Sequence, residues 1–183
     1  GREALQSNTT AAYNVAVGDQ ALESNTTGTQ NNAIGGMALF ENTTGNNNIA
    51  IGIESVKQNT TGANNIGIGA GALQANTTAD NNTAVGHQAL NDNTTGTRNT
   101  AVGALALDAN STGNYNVALG YGSLGANTAS NNVAIGYDAL TANTTGGNNI
   151  AVGYQALNAN TTASNSVAIG YQALYTCTTG GEN

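Results

Sequence analysis

The stretch NTTGGNNIAVGYQALNA, residues 143–159, decides the fold, because seventeen residues later nearly the same words return as NTTASNSVAIGYQALYT, residues 160–176. Working upstream, the opening Asn falls at Asn8, Asn25, Asn42, Asn59, Asn76, Asn93, Asn110 and Asn127, each step seventeen residues. The step from Asn127 to Asn143 is one residue short, and Cys177 takes the Asn slot of the last phrase. The full phrase is N-T-T-G-x-x-N-x-A-[VI]-G-x-x-A-L-x-x, and it fills residues 1–183 with no linker and no second domain. A period this short excludes helical solenoids, whose two-helix repeats exceed thirty residues. Only six residues separate Gly86 from Asn93, under two helical turns. The reading is an all-β chain, a parallel β-solenoid or β-roll of about eleven coils, one repeat per coil.

Within residues 143–159 the run Ile150, Ala151, Val152 favours a short strand ended by Gly153. Strand side chains alternate faces, so Ile150 and Val152 share one face and Ala151 takes the other. The Val152 slot is always branched aliphatic (Val17, Ile34, Ile51, Ile68, Val85, Val102, Leu119, Ile135, Ile169), and it reads as core. The Ile150 slot admits Asn32, Thr83 and Thr100 and reads as the rim of that core. The Ala151 slot admits only Ala or Gly67, which implies a second surface pressed against it. A second apolar column runs through Leu5, Leu22, Leu39, Val56, Leu73, Leu90, Leu107, Leu124, Leu140, Leu157 and Leu174. It is placed inside, facing the Val/Ile column. Each buried Leu stabilises by roughly 1.5–3 kcal/mol, so one coil alone is unstable and stacking supplies the rest.

Polar columns recur as strictly. Asn14, Asn31, Asn48, Asn65, Asn82, Asn99, Asn116, Asn132 and Asn149 share a slot. Amides stacked at about 4.8 Å form hydrogen-bonded ladders, and Asn tolerates the left-handed backbone of sharp corners. The Gly153 slot fits another corner. The chain has no Pro, as a stack whose middle rungs need every ladder donor requires. No capping repeat is visible, and uncapped solenoids expose strand edges. The expectation is therefore a segment of a longer fibre.

Composition narrows function. Charged residues are 7% and the net charge is −7. The three basic residues, Arg2, Lys57 and Arg98, form no patch of the kind nucleic acid needs. The acidic residues sit in variable slots, where they keep an Asn/Thr-rich surface soluble. No Asp recurs at one slot, so a calcium-binding roll is not expected. No stretch is apolar enough to insert in a membrane. Cys177 reads as an incidental substitution. The single His87 occupies a slot held elsewhere by Tyr, and no catalytic, metal-binding or cofactor-binding constellation emerges. The chain is expected not to be an enzyme and to need no cofactor.

At residues 165–170 the chain reads NSVAIG, which closely resembles the head-domain repeat of trimeric autotransporter adhesins. The longer run NNIAVGYQALNANTTASNSVAIGYQAL, residues 148–174, is similar to repeats of tail-fibre and adhesin-like proteins of phages and bacteria. The resemblance implies a left-handed parallel roll, self-association as a homotrimer or end-to-end filament, and no catalytic residues. It also implies an extracellular, cell-surface or virion location and a cell-surface glycan receptor.

The leading expectation is thus a structural and adhesive rod segment of an extracellular fibre. Two alternatives stand beside it. N-x-[ST] acceptors at Asn8, Asn25, Asn42, Asn59, Asn76, Asn93, Asn110, Asn143 and Asn160 would make it an N-glycosylated scaffold filament. The repeated Thr pairs would suit an ice-binding β-solenoid. Tyr121, Tyr137, Tyr154 and Tyr171 stack near one end and read either as packing residues or as ligand contacts through their aromatic faces.

Overall fold

Ten three-residue strands alternate with closed loops of backbone. They are β1 (Val15–Val17), β2 (Asn32–Ile34), β3 (Ile49–Ile51), β4 (Ile66–Ile68), β5 (Thr83–Val85), β6 (Thr100–Val102), β7 (Val117–Leu119), β8 (Val133–Ile135), β9 (Ile150–Val152) and β10 (Val167–Ile169). The computed structural model describes residues 1–179. All strands are parallel and ordered β1 to β10 in one sheet. Each residue pairs with its equivalent in the next coil, as in Ala33 with Ala50 and Ala50 with Gly67. Only the step from β7 to β8 is sixteen residues, Val117 pairing with Val133. The protein is a β-solenoid of about nine complete turns, and no helix among the described residues is long and apolar enough to cross a membrane.

The strand faces are the reverse of the sequence expectation. Ala33, Ala50, Ala84, Ala101, Ala118, Ala134 and Ala151 point inward and are fully buried. The Val152 column, expected as core, points outward: Ile34 is 41%, Ile51 38% and Ile68 37% exposed. Lumen width is the reason. Leu22, Leu39, Leu73, Leu90, Leu107, Leu124, Leu140 and Leu157, each following a buried Ala or Ser, already fill the interior from the opposite wall. At Gly67 even a Cβ would lie 2.5 Å from Val56 Cγ2 and 2.7 Å from Ser55 Oγ. A branched side chain has no space there. The small Ala151 column is therefore lumen wall and not the seat of a second rod.

From Leu22 to Leu157 the Leu column is buried as expected, with Leu5 half-buried and Leu174 exposed at its ends, but its backbone is unexpected. Leu22, Leu39, Leu73, Leu90 and their equivalents have φ between 50° and 58°, as do Gln20 and Gln88 two residues earlier in their coils. Successive turns wrap the apolar pair around the lumen: Ala21 N–H donates to Gly18 C=O, and Asn25 N–H to Leu22 C=O. A non-Gly residue in this region costs roughly 1–3 kcal/mol and persists only where its surroundings over-determine it. Here the buried Leu contacts on both neighbouring coils hold it. The corner after each strand goes further, with Gly86 at φ 139° and its missing Cβ 2.6 Å from the Gly103 carbonyl. No other residue fits both conditions.

Two buried asparagine columns line the other corners. Asn42 Nδ2 donates to Asn25 Oδ1 (2.9 Å) and to Gly45 C=O (3.1 Å), and Asn42 Oδ1 accepts from Asn59 Nδ2 (2.8 Å). This is an amide-to-amide ladder, and it belongs to the Asn of Asn-Thr-Thr. The other column makes an amide-to-backbone ladder. Asn48 Oδ1 accepts from Asn65 N–H (2.9 Å), and Asn48 Nδ2 donates to Gly62 C=O (2.8 Å). The left-handed residue of that corner is the one before, Asn47 or Asn64, not the buried Asn itself.

Candidate functional site

With the interior spent on packing, whatever the rod does falls to its outer columns. The first is aromatic. The residue after the corner Gly is Tyr121, Tyr137, Tyr154 and Tyr171 in four successive coils. Their rings lie 5.3, 5.4 and 5.3 Å apart, with interplanar angles of 8–12°. One coil of rise sets that spacing, and the exposed rings close on one another as an offset stack. Each inner ring therefore spends both faces on its neighbours. Edges and phenol hydroxyls, with one outer face at each end of the stack, are what the column offers to solvent. Asp138, next in sequence, raises the Tyr137 phenol above its ordinary value, with burial and the adjoining tyrosines adding to the effect. Gln172 Nε2 donates to Gln155 Oε1 (3.1 Å) alongside.

The Asn-x-Thr positions are placed differently from what an acceptor site needs. Asn25, Asn42, Asn59, Asn76, Asn93, Asn110, Asn143 and Asn160 are fully buried. In Asn76, both Nδ2 hydrogens are used, to Asn59 Oδ1 (2.8 Å) and Ala79 C=O (3.1 Å). A glycan on that nitrogen would replace a ladder hydrogen and have no path to solvent. Asn8, at the end of the column, is half-buried and donates to Ala11 C=O (3.2 Å).

The threonines divide by role. The first of each pair turns its hydroxyl to the next coil, as Thr43 Oγ1 does to Thr60 C=O (3.0 Å). The second (Thr27, Thr44, Thr61, Thr78, Thr95) forms an exposed column. His87 is exposed in the aromatic column's slot and lines a shallow hollow with Ile53, Glu54 and Gln88. A second open hollow is lined by Gln88, Asn91, Asp92 and Asp108. Burial raises the Asp108 carboxyl above its ordinary value, and Asp92 adds to the rise. Among the described residues no group of three His, Cys, Asp or Glu gathers as a metal site.

The last outer feature is one that sequence reasoning placed inside. Val17, Ile34, Ile51, Ile68, Val102 and Ile135 form an exposed apolar line along the sheet. The half-buried Ile49, Ile66, Val117 and Val133 run parallel to it, two residues away on the same strands. The signal that could have found it was the strict Ala/Gly column between them, the narrowest slot of the strand and hence the lumen side. No protein-family model, curated protein or solved structure matches this chain.

Proposed function

We propose that the chain is a non-enzymatic rod segment of an extracellular fibre, of the tail-fibre or adhesin-like kind, at a cell surface or on a virion. The observation that supports this best is the unbroken stacking of ten rungs on two buried asparagine ladders. Every described coil spends its interior on joining its neighbours. At about 4.8 Å per rung, ten strands span roughly 43 Å. Electron microscopy of the purified protein is expected to show rods or fibres, and compact particles would overturn the reading. For the adhesive part, a cell-surface glycan is the proposed receptor, met by the phenol hydroxyls of Tyr121, Tyr137, Tyr154 and Tyr171 with Gln155 and Gln172. A glycan array probed with the wild-type chain and a variant with all four tyrosines changed to Ala tests this. Equal signals, or none from either, remove the glycan contact.

A second reading, ice binding, is favoured by the exposed Thr27, Thr44, Thr61, Thr78 and Thr95 column. Absence of thermal hysteresis in the purified chain ends it. The glycosylated scaffold is the weakest alternative, because its acceptor nitrogens, that of half-buried Asn8 apart, are those buried in the ladder. Intact mass after expression in a glycosylating host decides it.

A further inference from the structure

We propose that two copies of this rod pair side by side, sheet face against sheet face, through the outward Val/Ile columns. This is independent of whether the fibre is adhesive. Three observations carry it. The outer face of the sheet is apolar along its length, with Ile34, Ile51, Ile68, Val102 and Ile135 exposed on successive or nearby rungs. Charged side chains are absent from the outward strand positions, which hold only Val, Ile, Leu, Thr and one Asn. The neighbouring corner is polar over its middle rungs, where Gln30, Asn47, Asn64, Asn81 and Arg98 stand exposed, with Tyr13 and Tyr115 exposed in the same slot on either side. The outward strand columns all lie on one side of the one sheet. A single face is buried completely by one partner.

The size fits a pair. Ten rungs at about 4.8 Å and a face about 10–15 Å wide with its flanking column give roughly 430–650 Å² per rod. Both rods together then bury roughly 900–1,300 Å², at the lower edge of stable interfaces. Aligned sheets meeting at about 10 Å interdigitate such columns. The middle of the face carries Thr83 and Thr100, whose half-buried side chains form the only two-rung polar interruption. The pairing is therefore expected to be reversible, with a dissociation constant in the micromolar range of about 1–100 µM.

The experiment is solution mass by light scattering over a concentration series of the reduced wild-type chain. The expected result is a shift from 18.1 kDa toward twice that mass as concentration rises. An Ile51→Lys/Ile135→Lys double variant tests the face. Both positions are already exposed, so the fold is expected to survive, as read by an unchanged circular dichroism spectrum. A pair would bury four ammonium groups, and association is expected to weaken at least about a hundredfold. Thr44→Lys/Thr95→Lys, on a different face, is expected to pair like wild type. The proposal is overturned by a wild type that stays at single-chain mass to about 500 µM, by a three-fold mass, or by equal loss of pairing in the Thr variant. A well-folded Ile variant that still pairs overturns it as well. None of these outcomes bears on fibre morphology or glycan binding, so the two proposals fail separately.

Discussion

At the residue scale, the amides and the lumen wall divide the work of holding the coils. Asn76 donates twice and accepts from Asn93 Nδ2 (3.1 Å), so Asn76→Ala strands the Asn59 amide oxygen and an Asn93 amide hydrogen in the interior, while the Ala79 carbonyl keeps its bond from Asn65 Nδ2 (2.8 Å). Each unsatisfied buried group costs about 1–3 kcal/mol. The expected loss in urea unfolding is therefore about 2 kcal/mol or more, comparable with about 2–5 kcal/mol for Leu73→Ala. A loss below about 1 kcal/mol at Asn76 would show that the ladder is decorative. The lumen makes a second prediction. Ser55, Val56 and Gly67 replace the usual Ala, Leu and Ala of one contact set, and Ser55 Oγ donates to Gly67 C=O (2.9 Å). The three changes are read as mutually compensating. Gly67→Ala alone is expected to destabilise by about 1–3 kcal/mol through overpacking. In a Ser55→Ala/Val56→Leu background the same change is expected to cost little, and a double-mutant cycle that finds additivity would sever the link.

At the scale of the element, one joint in the stack differs from the others. The missing residue falls between Asn127 and Asn132, in the corner that joins the two buried asparagine columns, and the strand register on either side is kept. Asn127 Nδ2 is 3.5 Å from Asn110 Oδ1, against 2.7–3.1 Å at the other rungs of that ladder. At the preceding joint both Thr94 N–H and Thr95 N–H donate to Ser111 C=O. Among the described residues, no corresponding bonds run from Ser111 or Thr112 to Thr128. Local opening follows the weakest set of contacts. Amide exchange at Ser111 and Thr112 is expected to run at least about tenfold faster than at Thr94 and Thr95. Inserting one Thr after Thr128 restores the seventeen-residue coil and is expected to slow it. Hydrogen exchange followed by mass spectrometry or NMR reads both, and equal protection at the two joints would dispose of the weak rung.

At the scale of the whole molecule, the axis, the stacking of equivalent residues and an asparagine ladder were legible because repetition at a fixed interval leaves a solenoid few other ways to close. The amide-to-amide ladder, however, lies in the Asn42 column and not in the Asn48 column read for it. The direction of the strand faces was not legible. Alternation says only that Ile150 and Val152 oppose Ala151. What decides between the faces is the volume already occupied by Leu140 and Leu157 across the lumen, which three strand residues do not encode. The left-handed Leu backbone was hidden for a related reason, since packing imposes it against local preference. The tyrosine column was legible, but its closure into a stack depends on the rise between coils. The same division between amide interior and charged exterior sets the response to pH. Burial raises the carboxyl of Asp108, with Asp92 adding to it, and burial raises that of Asp138. A carboxyl raised in the folded state contributes stability that is complete below its unfolded value and is lost as pH rises through the folded one. Acidification from neutral pH therefore strengthens both sites, and it also relieves the self-repulsion of a chain with net charge −7. Against this stand the surface pairs Arg2–Asp19 (3.1 Å) and Lys57–Glu54 (3.0 Å), both screened by solvent and weak. The ladders carry no charge and do not titrate. The melting temperature is expected to be at least as high at about pH 4 as at about pH 7. A fall of more than about 5 °C in calorimetry, with ionic strength held constant, would mean that ionised carboxylates hold the rod together and amides do not.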